Sequence, residues 1–155
     1  MNKTFLLLFF SITLNSYCQN LEKGNLGELQ KATLVEELQN LTGEKIDSSK
    51  IIVINFYDKP NRKPNGSCID YYSSDYKYLR FFKKKPNILQ FFITQKGYNY
   101  KKRKVIEDKN NTIRNLIFTD AKSCGNYIII KANGDYLKNL GEYRQDQIPE
   151  IIKKM

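Results

Sequence analysis

The stretch from Ile51 to Cys68, IIVINFYDKPNRKPNGSC, has two parts of opposite character. Ile51–Tyr57 is an apolar run rich in β-branched residues, which predicts a strand buried on both faces of a sheet. The part from Asp58 to Gly66 contains two prolines, two asparagines and a glycine, which predicts a loop. The elements around this strand and loop indicate which kind of sheet the strand enters.

The segments on either side of this stretch predict helices and a second strand. Leu26 to Leu41 carries leucines on one face and is predicted to form a helix capped by Asn25. Ser67 is predicted to cap a further helix that continues to about Lys84. Ile88 to Thr94 is another run of the buried-strand type. Two such strands joined by a helix are expected to lie parallel.

The last third of the chain predicts a hairpin and a closing helix. Tyr127–Lys131 and Tyr136–Leu140 are predicted strands, and the turn between them, Ala132 to Asp135, contains the Asn-Gly pair typical of hairpins. Gln145–Lys154 is predicted to be an amphipathic helix. Before the hairpin, Val105 and Ile106 predict a short strand, and Thr112–Phe118 fits either a short helix or a strand. This order predicts an α/β fold, a central mixed sheet with helices on its faces.

The N-terminus has the features of a secretory signal peptide. Phe5–Leu14 is an apolar run that follows one positive charge and is too short to span a bilayer as a helix. We expect cleavage after Cys18, so that the mature, exported chain begins near Gln19. Lipidation of Cys18 is an alternative, but Tyr17 stands where that site requires a small residue; a buried N-terminal strand or helix is another alternative. The expected divisions are a signal peptide over 1–18, a helical extension over 19–47 and the main domain over 48–155.

The charge and the missing histidine limit the classes of function. The formal net charge is +10, and it includes the basic runs Lys83–Lys85 and Lys101–Lys104. Such runs can bind nucleic acid, anionic lipid or acidic glycans. The interpretation that we favour is a solvated basic face, and export argues against nucleic acid as a partner. The absence of histidine excludes histidine-dependent nucleophiles and histidine-ligated metals. No cofactor or metal is predicted, since the turn at Asp108 lacks the glycine and glutamate of a calcium loop.

Three segments together resemble the thioredoxin-like superfamily, in particular its exported thiol–disulfide oxidoreductases and the related peroxiredoxins. KIIVINFY, from Lys50 to Tyr57, is similar to the first core strand. VIEDKNNTIRNLIF, from Val105 to Phe118, is similar to the segment in which a turn aspartate precedes a short helix. NYIIIKANGDYLKNLG, from Asn126 to Gly141, is similar to the terminal hairpin. The resemblance implies a three-layer α/β/α domain that ends in a β-hairpin and a closing helix.

The chain departs from the pattern of this superfamily at the reactive site. The positions of the Cys-x-x-C motif fall on Asn61 to Pro64, none of which is a thiol. The proline that normally precedes the hairpin strand is also absent, and Cys124 or Gly125 stands near its place. The resemblance therefore implies the fold without implying the usual dithiol chemistry at this position.

The resemblance places Cys68 and Cys124 at the same end of the sheet, because one begins the first core helix and the other precedes the hairpin. Three interpretations remain open at this point. The pair forms a structural disulfide, as is common in exported proteins; or it is a relocated redox couple, with Cys68 as nucleophile and Cys124 as its partner; or the two cysteines are separate and inert.

Two functions follow from these interpretations. The preferred one is a non-enzymatic binding or accessory protein of the cell envelope, periplasmic or secreted, that contacts a protein or peptide. Its binding surface is the loop end of the fold, edged by Tyr98, and the candidate binding residues are Asp58, Asn61, Arg62, Lys63, Tyr71, Gly125 and Asn126. The alternative is an envelope thiol–disulfide oxidoreductase in which Cys68 and Cys124 are catalytic.

Overall fold

The structure of this chain is a computed structural model. It describes residues 21–58, 68–98, 100, 104–122 and 124–155, with the backbone alone at Cys68 and Asp70. In chain order its elements are β1 (Glu22–Asn25), α1 (Glu28–Thr42), β2 (Ile51–Tyr57), α2 (Cys68–Ser74), α3 (Tyr76–Lys83), β3 (Ile88–Gln95), β4 (Val105–Asp108), α4 (Thr112–Ile117), β5 (Asn126–Ile130), β6 (Asp135–Leu140) and α5 (Gln147–Lys153). The predicted signal peptide, over residues 1–18, lies outside the described residues.

In the described part of the chain the strands form one mixed sheet, in the order β1-β6-β5-β2-β3-β4. β2 occupies the middle, where it pairs parallel with β3 and antiparallel with β5. β4 extends the parallel half, whereas β6 and β1 extend the antiparallel half. The strand predicted from Ile51 to Tyr57 is therefore central and buried, as its apolar run indicates.

Helices cover both faces of this sheet. Because side chains alternate along a strand, Ile54 and Phe56 face one core while Val53 and Tyr57 face the other. The first core includes Leu34 of α1 and helix α4, and the second includes helices α2, α3 and α5. The predicted three-layer α/β/α architecture with a mixed sheet, terminal hairpin and closing helix is confirmed.

The prediction of one continuous helix from Ser67 to about Lys84 is wrong, because the structure contains two helices in this segment. α2 ends at Ser74 and α3 begins at Tyr76. Between them the carboxylate of Asp75 accepts hydrogen bonds from the backbone nitrogens of Lys77 at 2.8 Å and Tyr78 at 3.0 Å. Aspartate and serine side chains compete with helical hydrogen bonds in this way, so Ser73-Ser74-Asp75 ends one helix and caps the next.

Strand β1 was not predicted, and it lies in the segment 19–47 that we expected to be a helical extension. Its sequence, EKGN, has no alternation of apolar side chains that would indicate a strand. The strand instead depends on the hairpin between β5 and β6: Asn25 Nδ2 donates to Asp135 Oδ1 at 2.7 Å, and the Leu26 nitrogen donates to the Gly134 oxygen at 2.9 Å. A tertiary contact thus determines the conformation of this segment.

The predicted hairpin turn is confirmed, and the ambiguous segment Thr112–Phe118 contains the helix α4. Gly134 has a φ of +89°, which is the left-handed conformation that the turn requires. No helix in the described residues has both the length and the apolar character needed to cross a membrane.

Candidate functional site

The candidate site lies where β2 ends and β5 begins. Phe56, near the end of β2, pairs with Asn126, the first residue of β5. Cys124 precedes Asn126 by two residues, and Cys68 is the first residue of α2. Tyr72, one turn into α2, has its ring centroid 5.9 Å from that of Tyr57 at the end of β2. The start of α2 and the loop before β5 are therefore at the same edge of the sheet.

Cys124 is disulfide-bonded. Its backbone φ is +75°, an uncommon conformation for any residue other than glycine, and the residue is partly accessible to solvent. The side chain of Cys68 lies outside the described residues. The pairing of Cys68 with Cys124 consequently stays a prediction.

Asn126 holds the loop that carries Cys124. Its Oδ1 accepts hydrogen bonds from the backbone nitrogens of Lys122 at 2.9 Å and Gly141 at 3.2 Å. Its Nδ2 donates to the backbone oxygens of Lys122 at 2.8 Å and Phe56 at 3.3 Å. One buried amide therefore joins the loop before β5, the end of β2 and the chain after β6.

Two of the predicted binding residues thus have a different environment from the one expected. Gly125 and Asn126 are both buried, and the Gly125 oxygen accepts a hydrogen bond from the Gly141 nitrogen at 2.8 Å. A β-carbon on Gly125 would come within 3.4 Å of the Gly141 oxygen and the Tyr143 ring. These residues support the loop from the protein interior, because their polar groups form hydrogen bonds within the chain and are not presented to a partner.

Asp58 follows β2 directly and forms an ion pair with helix α4. Its Oδ2 atom lies 3.3 Å from Nη2 of Arg114, and the two side chains are 14% and 32% exposed. The carboxylate at the start of the predicted loop is therefore already paired with a cation.

Beneath this edge lies a buried cluster of tyrosines around Asn55, in the middle of β2. Asn55 Nδ2 donates to the Tyr143 hydroxyl at 2.6 Å, and its Oδ1 accepts from the Tyr78 hydroxyl at 2.8 Å. Oδ1 also accepts from Gln90 Nε2 at 3.0 Å. The Tyr72 hydroxyl donates to the backbone oxygen of Tyr143 at 2.6 Å, and the two rings stack with centroids 4.7 Å apart. Polar groups buried in this way fix the packing of α2 and α3 on the sheet.

Burial further disfavours the charged form of the phenols in and beside this cluster. It raises the pKa of Tyr127 to about 12, and it raises the pKa values of Tyr57, Tyr78 and Tyr143 well above the ordinary value for tyrosine. A neutral phenol at physiological pH donates and accepts hydrogen bonds and does not act as a base. The cluster is accordingly a structural layer under the candidate site.

The remaining predicted site residues fall into two groups. Tyr71 is 68% exposed on α2, and its ring lies edge-on to that of Tyr72 with centroids 5.5 Å apart. Tyr98 is partly buried beside Tyr100, at a ring-centroid distance of 6.3 Å. The other predicted residues lie outside the described residues: Asn61, Arg62 and Lys63.

Three residues that build this edge were missed at the level of sequence, namely the ion-pairing Arg114 and the hydrogen-bonded Asn55 and Tyr143. Asn126 was predicted as a binding residue, but its role as a buried amide that holds the loop was not. The position of Asn55 was a usable signal, because an asparagine within an apolar strand needs buried partners. Arg114 and Tyr143 carry no local signal. Among the described side chains, no group of three or more carboxylates or thiols is placed to hold a metal ion.

No protein-family model matches the sequence, and no curated protein matches it either. Solved structures do match the fold. The exposed lipoprotein thioredoxin Etrx1 of Streptococcus pneumoniae has a TM-score of 0.50 at 10% identity, with 70% of this chain and 87% of that one covered. A Neisseria meningitidis protein assigned as a thioredoxin has a TM-score of 0.50 at 17% identity, with 68% and 74% covered. At these identities the likeness shows the fold, which is thioredoxin-like.

Proposed function

We propose that this chain is an exported thioredoxin-like protein that binds a protein or peptide at the edge formed by β2, α2 and β5, without catalysis, and that a Cys68–Cys124 disulfide stabilises this edge. The observation that carries the proposal is the disulfide-bonded Cys124 on a loop held by the buried amide of Asn126. An edge fixed in this way presents a constant surface to a partner.

The choice of Cys68 as the partner of Cys124 follows from the small number of cysteines. The sequence contains three, and Cys18 belongs to the predicted signal peptide. Cys68 begins α2, the helix whose Tyr72 packs beside the end of β2. A bridge from Cys68 to Cys124 closes a loop of 57 residues, counted with both ends. In the chain-entropy model it stabilises the folded state by about 4 kcal/mol.

The described surroundings of Cys124 favour a stable bridge over a catalytic one. Thiol–disulfide exchange needs a thiolate, so reactive cysteines lie near groups that take up a proton or stabilise the negative charge. The side chains that build this edge are the neutral amide of Asn126, the phenol of Tyr143, whose pKa burial raises, and Asp58, which is paired with Arg114. Neither the amide of Asn126 nor the neutral phenol of Tyr143 accepts a proton at physiological pH.

Tyr71 is the best candidate contact for a partner. Its side chain is 68% exposed on α2, the helix that begins with Cys68. Tyrosine is enriched at protein interfaces, since it contributes apolar area and a hydrogen-bonding hydroxyl at low conformational cost. The predicted contacts Asn61, Arg62 and Lys63 precede the same helix in the sequence.

Capture of partners by the immobilised mature chain tests this function. An envelope extract is passed over the wild-type chain, Tyr71→Ala and Arg62→Ala/Lys63→Ala, and the bound proteins are quantified by mass spectrometry. Leu29→Ala is the matched control, because Leu29 is 82% exposed but lies on α1. We expect a specific partner to be lost from Tyr71→Ala and from the double variant and retained by the control. Equal capture by all four proteins would contradict a binding role for this edge.

A thiol–disulfide oxidoreductase is the second candidate. The observation in its favour is that Cys124 is partly accessible and has a left-handed backbone, a strained conformation that often occurs at functional sites. In the reduced protein, the Cys68 thiolate would attack a partner disulfide and release one partner thiolate. Cys124 would then attack the mixed disulfide and release the second thiolate, so that the pair is oxidised and the partner reduced. Insulin-reductase activity that Cys68→Ser abolishes would establish this function, whereas background rates in both proteins would exclude it.

A further inference from the structure

We infer that a groove between α3 and the parallel half of the sheet binds an acidic oligosaccharide, one that carries sulfate or carboxylate groups on its sugar rings. The groove has a volume of about 510 Å³. This volume lies in the range of ligand pockets, which are commonly about 300–1,000 Å³. Its described lining is Tyr76, Leu79, Arg80, Lys83, Gln90, Phe92 and Lys104.

One face of α3 forms the wall of the groove. Tyr76, Leu79, Arg80 and Lys83 are spaced three and four residues apart, so they lie along a single stripe of the helix. Tyr78 and Phe82, on a different stripe, are buried against the sheet and fix the orientation of the helix. The groove-facing side chains are therefore presented by a packed element.

The described lining of the groove carries a positive charge. Arg80, Lys83 and Lys104 line it, and its described lining contains no carboxylate. None of these three cations forms an ion pair with a carboxylate of the described residues. In the sequence Lys83 and Lys104 belong to two separate basic runs, and the fold brings them to one cavity. Converging cations that have no carboxylate partner among the described residues favour a ligand with more than one anionic group.

The floor and rim of the groove suit sugar rings. Leu79 supplies apolar surface above the buried Phe92, while Tyr76 is 70% exposed and has the Arg80 guanidinium carbon 6.0 Å from its ring centroid. A sugar ring has an apolar face of C–H groups that packs on an aromatic ring, and its acidic substituents project from the edge. The Tyr76 ring and the apolar floor would contact the C–H face of a sugar, and the cations would contact its acidic substituents.

The groove is also pre-formed. Gln90, on its floor, donates a hydrogen bond to the buried Asn55 at 3.0 Å and is thereby connected to the tyrosine cluster. A recessed groove of this kind fits a discrete chain, whereas a flat anionic membrane would contact only its rim. Pre-organised sites lose less entropy on binding.

Calorimetric titration with a sulfated heparin hexasaccharide tests the inference. Arg80→Gln/Lys83→Gln removes two charges from the groove, and Lys153→Gln/Lys154→Gln removes two charges from exposed positions at the end of α5. We expect the groove variant to lose about tenfold in affinity, equivalent to about 1.4 kcal/mol. The control should lose less than about twofold at physiological salt, where charges distant from the ligand are screened. Melting curves of all variants confirm that they are folded.

Two further arms test the chemical class of the ligand. Tyr76→Ala should weaken binding of the hexasaccharide without changing the weak binding of inorganic sulfate. A desulfated hexasaccharide, a polyglutamate peptide of equal charge and vesicles of anionic lipid should each bind more weakly than the sulfated probe. Equal losses in the two double variants would overturn the inference, because they would show an effect of net charge alone. Polyglutamate or vesicle binding as tight as that of the hexasaccharide would also overturn it.

Discussion

At the scale of single residues, the shape of the candidate site depends most on Asn126. Its buried amide hydrogen-bonds to backbone groups of Lys122, Gly141 and Phe56, which belong to three different segments. A residue with this role leaves little trace in a single sequence, because its partners are backbone atoms. The sequence analysis placed Asn126 just before a predicted strand, as a binding residue, but did not predict that its side chain is directed inward.

Asn126→Ala should destabilise the protein by about 2 to 4 kcal/mol, because buried backbone groups lose their partners. Urea unfolding of the purified chain measures the change. The matched control is Asn40→Ala, an exposed asparagine in α1, which should change the free energy of unfolding by less than about 0.5 kcal/mol. Similar effects of the two substitutions would refute the role assigned to Asn126.

Gly134→Ala should be strongly destabilising, by about 1 to 3 kcal/mol, since an L-residue is strained at its φ of +89°. A β-carbon there would also lie 2.5 Å from the backbone oxygen of Leu26, the residue whose nitrogen donates a hydrogen bond to the Gly134 oxygen. Gly27 offers the control, because its φ is −57° and a β-carbon would have nothing within 4 Å. Thermal melts compare the two alanine variants, and a Gly134→Ala variant as stable as Gly27→Ala would contradict the turn geometry.

At the scale of elements, the most reliable predictions were those that depend on local pattern. The strand Ile51–Tyr57 and the hairpin around Gly134 were predicted because their signals lie within a few residues. Strand β1 was missed because pairing with β6 determines it. The division of one predicted helix into α2 and α3 follows from the capping ability of Asp75, a signal that was present in the sequence but not used.

Asp75→Ala should cost about 1 kcal/mol, because it removes the acceptor for two backbone N–H groups at the start of α3. Asp75→Asn keeps an acceptor of similar shape and should retain most of the stability. Denaturant unfolding of the three proteins measures both effects. Equal losses in the alanine and asparagine variants would show that the cap is not the cause.

Asp108, at the end of β4, gives the fold a specific pH dependence. Burial raises the pKa of its carboxyl above the ordinary value, although backbone N–H groups of α4, among them that of Arg114 at 2.8 Å, oppose the shift. A carboxyl with a raised folded-state pKa contributes stability that is fully present below its unfolded pKa and is lost as the pH rises through its folded pKa. The effect has the opposite sign to that of an ion-paired aspartate.

Asp108→Asn should therefore gain stability relative to the wild-type chain as the pH rises from 3 to 7, since the amide carries no charge and keeps an acceptor oxygen. Unfolding free energies measured across this range give the difference directly. The matched comparison is Asp135→Asn, whose carboxyl has a pKa lowered chiefly by the Asn25 and Asn133 side chains. That variant should lose relative stability over the same range, and parallel curves for both variants would contradict the assignment.

At the scale of the whole molecule, the layer architecture could be predicted from the order of elements, and the candidate site only in part. The pattern of helices and strands predicted helices on both faces of a mixed sheet, as observed. The convergence of Arg80, Lys83 and Lys104 on one groove depends on how α3 packs on β3, which no local pattern specifies. For the same reason the tyrosine cluster around Asn55 could not be predicted, because its members come from β2, α2, α3 and the segment after β6.

The central claim is that a structural disulfide between Cys68 and Cys124 stabilises a non-catalytic binding edge. The measurement that tests it most directly is the reduction potential of the bridge in the purified mature chain, with the bonded cysteines identified by mass spectrometry of peptides. The account predicts a Cys68–Cys124 bridge with a potential below about −300 mV. A potential between about −120 and −270 mV, typical of exchange proteins, or a Cys124 bonded to any other thiol, would contradict it.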